Sequence, residues 1–185
     1  VTQNYPPAAN QPGTTVTVET LDVRYPNNSV QVGDTVYAAN TINSSKNKPI
    51  VNVFGINCAT KTKVFQQNIA ASSTSHDFIP SVSVNTQGDL AVAWTSTMWA
   101  TGVGKGFPAV YVSGKLASAA TFGTPKRLRT STEAYTAASG SDPARWGDYT
   151  ALNVDPTNGI NFFGVNQYNK NGTTWGTYIF NILVN

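Results

Sequence analysis

Apolar and polar residues alternate in short runs along this chain, and the runs recur in a fixed order. Thr15-Val-Thr-Val-Glu-Thr-Leu-Asp-Val23 alternates residue by residue, as a half-buried strand does. Three later stretches share one plan of apolar strand, tight polar turn and second apolar strand. They run over residues 28–40, 80–94 and 149–163. Each is followed by a third strand-like run, over 49–57, 108–116 and 175–183. The first two add a fourth, over 63–69 and 125–129. The turns read Val32-Gly-Asp-Thr35, Asn85-Thr-Gln-Gly-Asp89 and Asp155-Pro-Thr-Asn-Gly159, supplying Gly, Asn, Asp and Pro where the backbone needs a positive or preset φ. No segment keeps a helical period, and Ala134–Gly140 makes one turn at most.

The repeat therefore predicts an all-β chain of three four-stranded units, over 29–70, 80–130 and 149–184. The units start about fifty residues apart, near the spacing of β-propeller blades. Residues 1–14 read as an extended Pro-rich arm, or the cut end of a processed chain, and 15–185 as one propeller-like domain.

Composition narrows the chemistry. Charged residues are 11% of the 185, far below an average soluble protein, and the net charge is +3. Lys46, Lys48, Lys61 and Lys63 form one loose basic cluster, read as a solubilising sheet edge rather than a nucleic-acid surface. Cys58 is the single cysteine and His76 the single histidine. An intramolecular disulfide, a cysteine-rich zinc site and a multi-histidine metal site are thereby excluded. Cys58 is expected to be a packed thiol, and Trp94 and Trp175 to be core. No cofactor is implied. Low charge and few cysteines favour a secreted, extracellular protein. Asn27, Asn43 and Asn171 open glycosylation sequons, a weak signal in so Asn-, Ser- and Thr-rich a chain.

Two stretches carry a resemblance to a known family. Pro80-Ser-Val-Ser-Val-Asn-Thr-Gln-Gly-Asp-Leu-Ala-Val-Ala-Trp94 resembles the first two strands of a sialidase-like (BNR-type) propeller blade. Arg145-Trp-Gly-Asp-Tyr-Thr-Ala-Leu-Asn-Val-Asp-Pro156 is similar to a last-blade motif of secreted bacterial proteins of that superfamily. An aromatic strand and a Trp-containing hairpin follow it there, as Phe162–Tyr168 and Trp175–Tyr178 do here. The resemblance covers roughly Phe78 to Leu183. Tyr168-Asn-Lys-Asn-Gly-Thr-Thr-Trp175 matches the second half of a sialidase "Asp box", but Lys170 stands where the Asp belongs, and the strand count puts it after a second strand, not a third.

The resemblance implies that the first strand of each unit lies innermost. The loops entering first strands and those joining second to third strands then share one ligand-bearing mouth. On that basis Arg24 (with Asp22 and Tyr25), His76, Asp77, Arg145, Asp148 and Tyr149 (with Trp146) ring the mouth, and Trp99 overhangs it. Arg, Asp and aromatic side chains on a concave mouth suit sugars or carboxylates. Simpler roles compete: an Arg145–Asp148 pair bracing its loop around a wedged Trp146, an Arg24–Asp22 edge pair, and a His76-Asp77 turn. An Arg145–Asp148 pair partly buried beside that Trp would make Arg145 costly to remove, by roughly 3–5 kcal/mol.

With four Arg and two Glu, the chain lacks the arginine triad and Tyr–Glu pair of a sialidase. The residues leave three functions open: an extracellular module binding carbohydrate or another surface polymer, a glycosidase-like hydrolase or lyase, and a structural half-ring. Three units are also too few to close a propeller. The expected solution is a twofold homodimer of six blades, each leading strand over Thr15–Val23 completing the partner's last sheet, or a separate half-propeller chain supplying the other blades.

Overall fold

The structure is a computed structural model, and it describes residues 5–24, 27–102, 105–137 and 143–185. Every element in it is a β-strand. The first sheet is a meander of β1 (Val30–Val32), β2 (Thr35–Asn43), β3 (Pro49–Asn57) and β4 (Thr62–Ile69). The second is a meander of β5 (His76–Val84), β6 (Leu90–Thr97), β7 (Ala109–Lys115) and β8 (Lys126–Thr130). The third has three strands, β9 (Ala151–Val154), β10 (Phe162–Asn171) and β11 (Thr174–Ile182). All pairings within the sheets are antiparallel. The expected turns join the expected strands, because Gly33, Gly88 and Gly159 take the positive φ their turns require. No helix among the described residues is long and apolar enough to cross a membrane.

The sheets stack in chain order and do not close on themselves. Val51 and Val53 of the first sheet pack on Val82, Val92 and Trp94 of the second. On the other side Ala91, Ala93, Val110 and Val112 pack on Leu152, Phe162 and Phe180 of the third. The second sheet is thus covered on both faces, and every residue of β5 and β6 is buried. That is why its strands carry small or apolar residues at both parities, where a half-exposed strand alternates. Within the third sheet, Gly164 makes room for its cross-strand partner: a Cβ there would sit 2.2 Å from Phe180 Cζ.

A bulge in β5 sets the site's geometry. Val82 pairs with Val92 on the face toward the first sheet, and Asp77 pairs with Ser96 on that same face. Five residues separate Asp77 from Val82, so an unbroken strand would put them on opposite faces. The register shift between Phe78 and Ser81 reverses the parity, and Ile79 absorbs it at φ 51°, a strained conformation for a β-branched residue. The Ile79 N–H donates to Thr41 Oγ1 at 2.9 Å, and its carbonyl accepts from Thr150 Oγ1 at 3.2 Å.

Several expectations are corrected. Thr15–Val23 is not a strand: Val18 makes isolated bridges to Ala9 and Ala144 and is fully buried in its own chain. A single bridged residue costs little backbone order and uses the arm to cover Phe78, Ile79 and Trp146. His76 and Asp77 belong to β5 instead of preceding it. Cys58 is exposed, because β3 ends at Asn57 and the thiol falls in the turn. Lys46 and Lys48 lie in the β2–β3 turn and Lys61 in the β3–β4 turn, opposite ends of the sheet, so they form no cluster. Tyr25 lies outside the described residues.

Candidate functional site

The loop from Pro143 to Thr150 leads into β9, with Ala144, Trp146 and Thr150 buried and Arg145 and Tyr149 exposed. Trp146 turns inward and is 2% exposed; its ring meets Tyr135 edge-on at 5.3 Å. Its Nε1–H donates to Thr95 Oγ1 at 3.3 Å, and that hydroxyl donates to Asn166 Oδ1 at 3.1 Å. Trp146 is thus buried against the arm, β5 and Tyr135. At Gly147 the N–H donates to Gln167 Oε1 at 2.7 Å, and a Cβ would lie 2.3 Å from that oxygen, so a larger residue would push the Gln167 side chain aside. With Trp146 and Gly147 pinned to the sheet, Arg145, Asp148 and Tyr149 project outward.

They border a groove of about 480 Å³ whose floor is the outer face of the third sheet. Val165, Gln167, Thr177 and Trp175 line that floor; they share the parity opposite to Phe162 and Phe180. Trp175 is 58% exposed and Tyr149 75%, so two aromatic faces stand in solvent. Trp175 is therefore not core, as the sequence had suggested, whereas Trp94 is fully buried. Asn166 also borders the groove, but it shares the parity of Phe162 and Phe180, is 2% exposed and turns its Oδ1 to Thr95 of the second sheet; its Nδ2 has no hydrogen-bond partner among the described residues.

Arg145 sits between two carboxylates. Its Nη2 donates to both oxygens of Asp148 at 3.1 Å, and its Nε lies 3.0 Å from Glu19 Oε2. The second contact is coulombic, since Glu19 Oε2 accepts no aligned hydrogen bond. The expected Arg145–Asp148 pair is thus present, with a third member the alternation of 15–23 could not reveal. Its energetic weight is lower than the sequence suggested. Arg145 is 71% exposed, and an exposed pair contributes about 0–1 kcal/mol rather than the 3–5 of a buried one.

The other mouth residues fall elsewhere. Arg24 pairs with Asp22, is almost fully solvated and lines none of the groove. Trp99 folds down onto the second sheet: its Nε1–H donates to the Phe107 carbonyl at 2.7 Å, and Arg127 stacks 3.9 Å above its ring. Asp77 is wholly buried and accepts from Trp94 Nε1 (2.7 Å), Ser75 Oγ (2.5 Å) and the Ala71 N–H (3.2 Å). Burial raises its pKa against those hydrogen bonds. His76 is 7% exposed, and burial with the nearby Lys48 charge lowers its pKa to about 4. Its Nδ1 accepts the Asn10 N–H at 3.2 Å. Of the seven expected site residues, the structure brings Arg145, Asp148 and Tyr149 together at the groove. Gln167 and Trp175 join them at the groove, neither of them expected as a site residue, and Glu19 reaches Arg145 from outside the lining.

Among the described residues no group of His, Cys, Asp or Glu is placed to hold a metal ion. No family model, no curated protein and no solved structure matches this chain.

Proposed function

We propose that this chain is an extracellular sialidase-like propeller module that binds carbohydrate in the groove of the third sheet. The observation that carries the reading is the pair of exposed aromatic faces, Trp175 and Tyr149, beside the Arg145–Asp148 pair. Aromatic faces cover the C–H faces of a pyranose, and the charged pair supplies donors and acceptors for its hydroxyls. The family resemblance supports the ligand class and the secreted location. An enzyme is the weaker reading. Paired carboxylates for glycoside hydrolysis need one raised and one ordinary pKa in one site. Here the carboxylate with the raised pKa, Asp77, is sealed beneath Trp94 and does not line the groove. Trp175→Ala is the test. It removes an exposed ring, so the melting temperature should stay within about 2 °C, while affinity on a glycan array falls more than tenfold. Unchanged glycan affinity in this variant would refute the assignment.

A second reading rests on a separate observation. Phe163 and Ile179 are 45% and 73% exposed on the same outer face, farther from the loop. An apolar face at the end of a stack of sheets is what an unfinished propeller presents to its next blade. In this reading two copies form a six-bladed ring. The leading segment takes no part in it, because Val18 is already buried in its own chain. Light scattering at micromolar concentration should then give about 39 kDa, twice the 19.7 kDa of one chain, and Ile179→Glu should restore the single mass. A monomer in the unmodified chain would end the ring and leave the groove untouched.

A further inference from the structure

Resting on the carbohydrate reading of the groove, we infer that its ligand is a neutral saccharide and that acidic saccharides are turned away. The Arg145 guanidinium is outnumbered by carboxylates. Arg145 carries one positive charge; Glu19 and Asp148, both within 3.1 Å of it, carry two negative ones. The trio sums to −1, opposite in sign to the chain's net +3. The other arginines among the described residues are placed elsewhere: Arg127 and Arg129 lie over the rings of Trp99 and Tyr168, and Arg24 pairs with Asp22.

Recognition of a sugar carboxylate requires two adjacent guanidinium N–H groups on one edge. That edge is spent here. Nε faces Glu19, and Nη2 serves both oxygens of Asp148. A uronic or sialic carboxylate reaching Arg145 would compete with Asp148 for that edge or approach through Nη1, and either way meet two like charges at close range. A neutral ring meets no such penalty. Its hydroxyls can donate to the Asp148 oxygens, while its C–H face covers Trp175. The arrangement favours hydroxyl recognition because a carboxylate already held by an arginine is a fixed acceptor with no freedom to lose.

The experiment compares two panels on the full chain at low salt. One holds neutral oligosaccharides (gluco-, manno-, galacto- and chito-series), the other acidic ones (oligogalacturonates, sialyllactoses and sulfated heparin fragments). The expected result is binding confined to the neutral panel and lost in Trp175→Ala. The double variant Glu19→Gln, Asp148→Asn leaves Arg145 unpaired, and it should gain at least tenfold in affinity for the acidic panel. Preference of the unmodified chain for acidic saccharides would overturn this inference and leave the carbohydrate reading standing. Binding to neither panel would overturn both. Failure of the double variant to gain acidic binding, with its melting temperature kept, would show that charge does not select the ligand.

Discussion

Asp77→Ala should destabilise the chain by about 3–4 kcal/mol, with no change in the groove. The carboxylate is fully buried, and three donors converge on it. Removing it leaves Trp94 Nε1–H and the Ala71 N–H without acceptors, at about 1–3 kcal/mol each. Ser75 has an alternative, since its hydroxyl also donates to the Ser72 carbonyl at 2.9 Å. Asp77→Asn keeps an acceptor for Trp94 and Ala71 and should cost less than half as much. The two variants also separate packing from charge. Burial raises the pKa of Asp77 above its ordinary 3.8, so the folded chain holds this proton more tightly than the unfolded one. The stability from that proton is complete below the unfolded value and fades as the pH rises through the folded value. Asn cannot titrate. The difference between the unmodified chain and Asp77→Asn, read from urea melts, should therefore shrink as the pH rises over that range. An Asp77→Ala loss below about 1 kcal/mol would mean that water or a neighbour replaces the carboxylate.

The strands were legible because their signals are local. The turn residues and the period of two lie within five to nine residues of each other, and β2, β3 and β6 fall within a few residues of their expected bounds. What failed depends on distant parts of the chain. The parity of Asp77 turns on a bulge at Ile79, and a β-branched residue gives no sign that it will take a positive φ. Unbroken parity from Val82 would have placed Asp77 with Ser81 and Ser83, away from Trp94. Val18 looked like one position in a nine-residue strand, because alternation reports burial and not which partner provides it. Trp175 sits in Thr174-Trp-Gly-Thr-Tyr-Ile-Phe-Asn-Ile182, which is apolar at both parities. Only the stacking decides that Phe180 faces the second sheet while Ile179 and Trp175 face solvent. The groove was half visible for the same reason: the Arg145–Tyr149 loop is one short segment, but Glu19 reaches it from more than a hundred residues away.

Acid should loosen the arm before it unfolds the sheets, and His76 is the group responsible. A backbone N–H can only donate, so the bond from Asn10 to His76 Nδ1 requires that nitrogen to be unprotonated. Protonation breaks the bond and leaves a cation in a buried pocket facing the Lys48 charge, which together hold the pKa near 4 against an ordinary 6.5. The folded value lies below the unfolded one. The stabilisation is therefore complete above about pH 6.5 and is lost as the pH falls toward 4. Its size is roughly 2 kcal/mol once partial solvent screening is allowed for. The loss falls on the arm because Asn10 belongs to it, next to Ala9, which is bridged to Val18. Amide hydrogen exchange at Ala9, Asn10 and Val18 should accelerate between pH 6.5 and 4, after correction for intrinsic rates, while β6 and β7 stay protected. His76→Gln should flatten the response, because a glutamine side chain has no proton to gain in that range. Glu19 lies beside Val18 and touches Arg145. The same acidification should therefore release one of the two carboxylates that flank Arg145 and relax the discrimination against acidic saccharides in step with arm exchange. Arm exchange that stays flat to pH 4, or that rises equally in His76→Gln, would rule out His76 as the trigger.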